Sequence, residues 1–188
     1  MTSPRLIVLV GMMGSGKSSV ARRLAREGRA LLDTDTLVEE RTGRTVREIF
    51  ATDGEPAFRE LEAAVLEECL GHSGPAVVAA AGGVAESARN RAALDRARAA
   101  GSAFVVWLRA DPQELERRVG HSTNRPLLDA DAGRRLKELA VSRADNYRAV
   151  ADAVVDTDGM SVQDVAAAVN AAVAGAGTGR MDTDGSAS

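Results

Sequence analysis

The chain has a single cysteine, Cys69, in 188 residues. One thiol excludes an intrachain disulfide framework and any metal site built from cysteines alone. Cys69 falls on the apolar stripe of an expected helix and reads as a buried core thiol rather than a nucleophile. Histidine is almost as scarce: His72 and His121 have no partners at metal-ligand spacing and read as surface residues. No apolar run approaches membrane-spanning length, and the opening MTSPRLIVLVG lacks the long apolar segment of a signal peptide. A cytoplasmic protein is expected. No excess of positive charge is present either. The net charge is −3, which argues against a nucleic-acid polyanion or an acidic membrane as partner. Lysine occurs only at Lys17 and Lys137, every other basic residue being arginine, and this singles out Lys17.

What is present is ordinary in bulk and specific in order. Apolar residues make up 45% and charged residues 27% of the chain, as in a globular protein of one domain with a core of its own. RLIVLV (residues 5–10) is a continuous apolar run, the pattern of a strand covered on both faces. After a glycine-rich loop, Val20, Ala21, Leu24 and Ala25 recur at helical spacing. ALLD (30–33) reads as a second short strand. Residues 36–72 read as helical, broken at Gly43 and at DGEP (53–56), with Phe58, Leu61, Val65, Leu66 and Cys69 on one face. AVVAA (76–80), AFVVWL (103–108) and DAVVDT (152–157) read as three further strands. Helices are expected over 87–100, over 111–119 after an Asp-Pro start, over 132–149 and over 161–174. The expectation is an α/β three-layer sandwich with a central, parallel, five-stranded sheet. It would form one domain over 1–174, with a disordered tail over 175–188.

GMMGSGKS, Gly11 to Ser18, fills every position of G-x-x-x-x-G-K-[ST] between an expected strand and an expected helix, the setting a P-loop requires. Glycines allow backbone N–H groups to turn inward around phosphate oxygens, and the helix N-terminus adds positive potential. The nucleotide contacts expected here are Gly14, Ser15, Gly16, Lys17, Ser18 and Ser19. Lys17 is a mobile cation for the β- and γ-phosphates, and the Ser18 hydroxyl can ligate Mg²⁺. The pattern implies a nucleoside triphosphate, ATP or GTP.

LLDTDTLVEE (31–40) sets two carboxylates two positions apart beside this loop. If the strand continued through them, Asp33 and Asp35 would project on the same side. One acid could then join the Mg²⁺ shell and the other face an acceptor hydroxyl, their repulsion relieved by Mg²⁺ and Lys17. The alternative is that they cap the following helix.

Five segments in order, DTD (33–35), FATDGEPAFRELE (50–62), the glycine pair at 82–83, NRPLL (124–128) and SRADNYR (142–148), resemble the shikimate kinase family. The resemblance covers roughly residues 5–158. It implies a kinase related to the nucleoside-monophosphate kinases, with ATP and shikimate as substrates and Mg²⁺ as cofactor. It also implies an acceptor-binding region over about 35–62 and a mobile lid over about 120–131. Carried over by motif, Asp35 binds the shikimate hydroxyls and is the candidate base, while Asp33 belongs to the outer Mg²⁺ shell. Arg59 and Arg143 grip the shikimate carboxylate, Glu62 orients Arg59, and Gly82 and Gly83 approach the substrate. Arg125 of the lid closes on the phosphates, and Arg118 lies against the adenine. A monomer is expected.

The chain leaves the family pattern at Ala81, where the family has the first of three glycines. A positive φ there would cost alanine about 1–2 kcal/mol; a negative φ would cost little. Two rival readings remain at this stage. One is a kinase for another carboxylate-bearing cyclitol or polyol; the other is a nucleotide-binding regulatory module without turnover.

Overall fold

Every residue of β1, Leu6–Val10, is buried, because both faces of the strand are covered. A computed structural model of the chain describes residues 4–120 and 130–178. After β1 come α1 (Lys17–Ala25), β2 (Ala30–Asp33), α2 (Thr34–Thr42), α3 (Val46–Thr52) and α4 (Gly54–Leu70). Then follow β3 (Ala76–Ala79), α5 (Ala88–Ala99), β4 (Ala103–Arg109), α6 (Pro112–Gly120), α7 (Ala130–Val150), β5 (Ala153–Asp156) and α8 (Val162–Thr178). The sheet has the order β2-β3-β1-β4-β5 and every pairing is parallel. This is the expected five-stranded α/β sandwich.

Alternate residues of β1 feed two cores. Leu6, Val8 and Val10 pack with Phe58, Leu66, Leu94, Trp107 and Tyr147 on one side. Ile7 and Leu9 pack with Val20, Leu24, Val165 and Val169 on the other. Full burial of one such aliphatic side chain is worth about 1.5–3 kcal/mol. Exposed ion pairs such as Arg44–Asp53 and Arg89–Glu67 are worth about 0–1 kcal/mol each. The two apolar layers therefore hold the fold, and the surface pairs only trim it.

Local chemistry explains the helix ends. The Thr45 hydroxyl accepts from the Glu48 N–H while the Glu48 carboxylate accepts from the Thr45 N–H, a reciprocal cap at the start of α3. α2 stops at Gly43, whose φ is +65°. Most boundaries shift by a residue or two from expectation, and three shifts bear on the argument. α2 begins at Thr34, directly after β2, because Asp33 caps it. α4 starts at Gly54 with Pro56 inside its first turn, where a missing N–H is harmless. α8 runs to Thr178, four residues past the expected end, and residues 179–188 of the expected tail lie outside the described residues. Cys69 is buried, and desolvation pushes its thiol up to about 11, so it is a neutral core group. Among the described residues, no helix is long and apolar enough to cross a membrane.

Candidate functional site

The carboxyl ends of β1, β2 and β3 lie side by side, since β3 sits between the other two. Crevices at this edge are where open α/β sheets bind ligands. Three loops meet there: residues 11–16 after β1, Asp33–Asp35 after β2, and residues 80–87 after β3.

The first loop has the geometry of a phosphate cradle. Gly16 has φ +91° and starts α1 without a side-chain cap, leaving the first N–H groups of the helix available to an anion. At Gly11 (φ +143°) a Cβ would lie 2.5 Å from the Leu108 carbonyl oxygen, so only glycine fits against β4. Lys17 Nζ donates to the carbonyl oxygens of Gly11 (2.8 Å) and Met12 (2.9 Å), folding its charge over the loop.

The acid pair is arranged differently from the strand reading. β2 ends at Asp33, and Asp35 already belongs to the first turn of α2. Asp33 is the reason: its Oδ1 accepts from the Asp35 N–H at 3.2 Å, which turns the chain into the helix. Its other oxygen accepts from the Ser18 hydroxyl at 2.7 Å. Asp33 thus caps α2 and ties it to the phosphate loop. Two hard oxygen donors stand together beside that loop, a donor set suited to Mg²⁺, which prefers one or two carboxylates with waters and phosphates. Asp35, at the positive end of α2, has favourable placement for a carboxylate.

Arg59 and Glu62 lie one turn apart on α4. One Arg59 nitrogen donates to both Glu62 oxygens at 3.1 Å, and the other side of the fork reaches Glu55 (2.9 Å) and Glu86 (3.2 Å). Glu62 is 1% exposed. Burial pushes its carboxyl up, Arg59 pulls it down, and the nearby charges of Asp35 and Glu86 add to the upward push. Burial works against the charge on Arg59, but Glu62 and Glu55 outweigh it and the guanidinium pKa is raised. Arg143, from α7, comes in from the opposite side. It donates to the Gly82 carbonyl oxygen at 3.3 Å and to Glu86 at 2.6 Å, while its Nε is buried with no hydrogen-bond partner among the described residues. Two guanidiniums from distant helices thus converge next to Asp35 and Glu62. Such a pair suits a planar carboxylate.

The loop after β3 explains its glycines in an unexpected way. Neither Gly82 nor Gly83 has a positive φ. Instead, a Cβ on Gly83 would lie 2.1 Å from an Arg59 nitrogen, so the glycine makes room for the guanidinium that Glu62 holds. Gly82 offers its carbonyl oxygen to Arg143 and to the Tyr147 hydroxyl. Ala81 also has no positive φ, since no described residue other than glycine does. Its methyl is buried and its N–H donates to the Thr34 hydroxyl at 2.9 Å. Ala81→Gly is therefore expected to loosen the unfolded chain and cost roughly 0.5–1 kcal/mol of stability. The acceptor KM should not move. A several-fold fall in that KM would show that the methyl obstructs the acceptor.

On the far side of the phosphate loop is a cleft of about 420 Å³, lined by Gly14, Ser15, Gly16, Ser19, Arg118, Thr157 and Gly159 among others. Arg118 is fixed there by Glu114 (2.7 Å), the Thr157 hydroxyl (3.0 Å) and the Thr157 carbonyl oxygen (2.8 Å). Arg117 pairs with both oxygens of Glu114 and is far more exposed. Both arginines line the cleft. Arg125 and the middle of the expected lid lie outside the described residues; its two ends are the last residue of α6 and the first residues of α7.

Several residues of the site were not singled out from the sequence. Thr34, buried between two acids, donates to the Ala79 carbonyl oxygen and accepts from Ala81, joining the second and third loops. Tyr147 lies one helical turn after Arg143 and shares its face of α7. Burial pushes its hydroxyl up to about 12, so it stays a donor to Gly82. Both residues stand inside quoted motifs, and that position was the available signal. Glu86 had no signal at all.

Residues 13–174 match the family model described as shikimate kinase. A protein named shikimate kinase from Symbiobacterium thermophilum is 44% identical over 167 residues, 87% of this chain and 92% of its own. One from Mycobacterium tuberculosis is 46% identical over 154 residues, 80% of this chain and 83% of its own. Among solved structures, the shikimate kinase from Acinetobacter baumannii in complex with shikimate is similar with a TM-score of 0.84 and 33% identity. That likeness covers 93% of this chain and 95% of that one.

Proposed function

The chain belongs to the shikimate kinase family, and from that premise we propose that it transfers the γ-phosphoryl group of ATP to the 3-hydroxyl of shikimate. The products are ADP and shikimate 3-phosphate, an intermediate on the route to chorismate and the aromatic amino acids. The observation that carries the choice of acceptor is the convergence of Arg59 and Arg143 on one carboxylate oxygen, next to Glu62, whose charge Asp35 reaches. An acceptor that brings both a carboxylate and ring hydroxyls fills both halves of that pocket.

The residues then divide the work. Backbone N–H groups from Gly14 to Ser19 surround the phosphates, and Arg118 flanks the adenine in the cleft beside Thr157. Ser18 and Asp33 would hold Mg²⁺, and the ion would supply positive charge against the phosphates. Lys17 leaves the loop carbonyls to follow the transferring group. Asp35 orients the acceptor hydroxyl and takes its proton as the oxygen attacks in line. Arg125 neutralises the moving phosphoryl group from the lid. Gly82 lets the ring lie close to the backbone and Gly83 leaves room for the Arg59 guanidinium, with Arg59 and Arg143 on the ring's carboxylate. Little covalent chemistry is left to the protein; positioning and charge do most of it.

Retention of Lys17 and Asp35 weighs against a regulatory module without turnover. The guanidinium pair weighs against a neutral polyol, and a screen of carboxylate-bearing cyclitols separates the remaining rivals. Arg59→Lys tests the acceptor assignment. Lysine keeps the charge but cannot make the fork, so the shikimate KM should rise at least about tenfold, the loss of one charge-assisted hydrogen bond, while the ATP KM stays put. Equal damage to both would make Arg59 a strut of α4 instead.

A further inference from the structure

Glu86 stands at the end of the loop after β3, one residue before Ser87, the N-cap of α5. It is not a member of either apolar core, and its side chain is 36% exposed. Yet one of its oxygens, Oε2, accepts from both guanidiniums of the acceptor pocket, at 2.6 Å from Arg143 and 3.2 Å from Arg59. A carboxylate oxygen of the protein therefore sits where the two arginines converge, which is where an acceptor carboxylate belongs on the reading given above. We propose that Glu86 is an internal competitor: in the acceptor-free enzyme its carboxylate occupies the arginine pair, and the acceptor must displace it to bind. This rests on Arg59 and Arg143 being the acceptor's carboxylate site.

The geometry suits a displaceable occupant. Glu86 uses a single oxygen for two partners, whereas a guanidinium and a carboxylate bind best through two parallel hydrogen bonds. Arg143 keeps a buried Nε donor that finds no partner among the described residues. An incoming carboxylate with two free oxygens satisfies more donors than Glu86 does. Glu86 is tethered by a turn in which its own N–H donates to the Gly83 carbonyl oxygen at 2.9 Å, so its side chain can swing to solvent without moving the backbone. Arg59 does not depend on it, since Glu62 and Glu55 hold that guanidinium independently.

Such a competitor would set selectivity as well as affinity. A simple carboxylate gains only the arginine pair and must give back the Glu86 contacts. An acceptor with hydroxyls gains Asp35 in addition and overcomes the competition. Occupancy by Glu86 also keeps the partly buried Arg143 cation paired between turnovers, which avoids the penalty of unmatched buried charge.

The test is Glu86→Gln, which keeps shape and removes the charge, with Glu86→Ala as a second variant that removes the group. The shikimate KM should fall in both, by roughly 3–10-fold, the factor expected if the unlatched pair is populated about a tenth to a third of the time. The ATP KM should stay where it is. Benzoate, a planar carboxylate without hydroxyls, should bind several-fold more tightly to either variant by calorimetry, a measurement that needs no turnover. An unchanged or raised shikimate KM together with unchanged benzoate binding would overturn the proposal and make Glu86 a support for the arginines. If the wild-type chain fails to phosphorylate shikimate, the assigned acceptor is wrong, and the benzoate arm still decides the role of Glu86.

Discussion

Lys17→Ala is expected to lower kcat by at least about 10²-fold, the scale on which removal of one well-placed charge donor acts in a transition state. Lys17 sits at the first position of α1 with Nζ on the carbonyl oxygens of Gly11 and Met12. It is thus a cation parked on the loop that is to wrap the phosphates. Alanine removes the charge and also the two hydrogen bonds that draw the loop closed. The loss should appear in kcat more than in the shikimate KM, because the proposed acceptor pocket draws on α2, α4 and α7. The fold should survive, since the core on that side rests on Val20, Leu24 and the facing residues of α8. Steady-state kinetics with a thermal melt of the same preparation separates the two effects. Near-normal turnover in a folded variant would remove the phosphate-loop assignment.

Asp35→Asn should be almost as severe, with kcat reduced by at least about 10²-fold, as for loss of a general base or of the group that orients the nucleophile. The substitution keeps size and hydrogen-bonding reach but removes the charge. ATP binding, judged by its KM or by calorimetry, should be retained, because the phosphate contacts come from another loop. Asp33→Asn is the informative partner. Asparagine caps a helix as well as aspartate, so α2 should persist. What should change is the Mg²⁺ concentration needed for half-maximal rate, which should rise as the Ser18–Asp33 pair loses its charge. A severe Asp33→Asn beside a mild Asp35→Asn would reverse the two assignments.

The fold was legible in the sequence because its strands carry a signal that needs no tertiary information. LIVLV (6–10) and AFVVWL (103–108) are apolar at every position, which a strand covered on both faces requires, and the segments between them repeat at helical spacing. The phosphate loop was legible for a related reason: its glycines and its lysine are dictated by local backbone geometry. Asp33 shows where that reading stopped. Alternation along a strand placed the two acids on one face, but a carboxylate that accepts from the N–H two residues on ends the strand at itself. Gly83 shows a second limit. Its reason is the guanidinium of Arg59, 24 residues earlier in the chain, and a contact of that separation leaves no local trace. Glu86 is the clearest case: it stands outside every quoted motif, and only the meeting of α4 and α7 reveals that its carboxylate joins both arginines.

One measurement bears most directly on the central reading. The chain is incubated with ATP and Mg²⁺, with and without shikimate, and both ADP and the phosphorylated product are followed, the product by phosphorus NMR. ADP should form at a substantial rate only when shikimate is present, in equal amount to a phosphate monoester coupled to the proton on carbon 3. Release of ADP that is indifferent to shikimate, or no release under either condition, would contradict it.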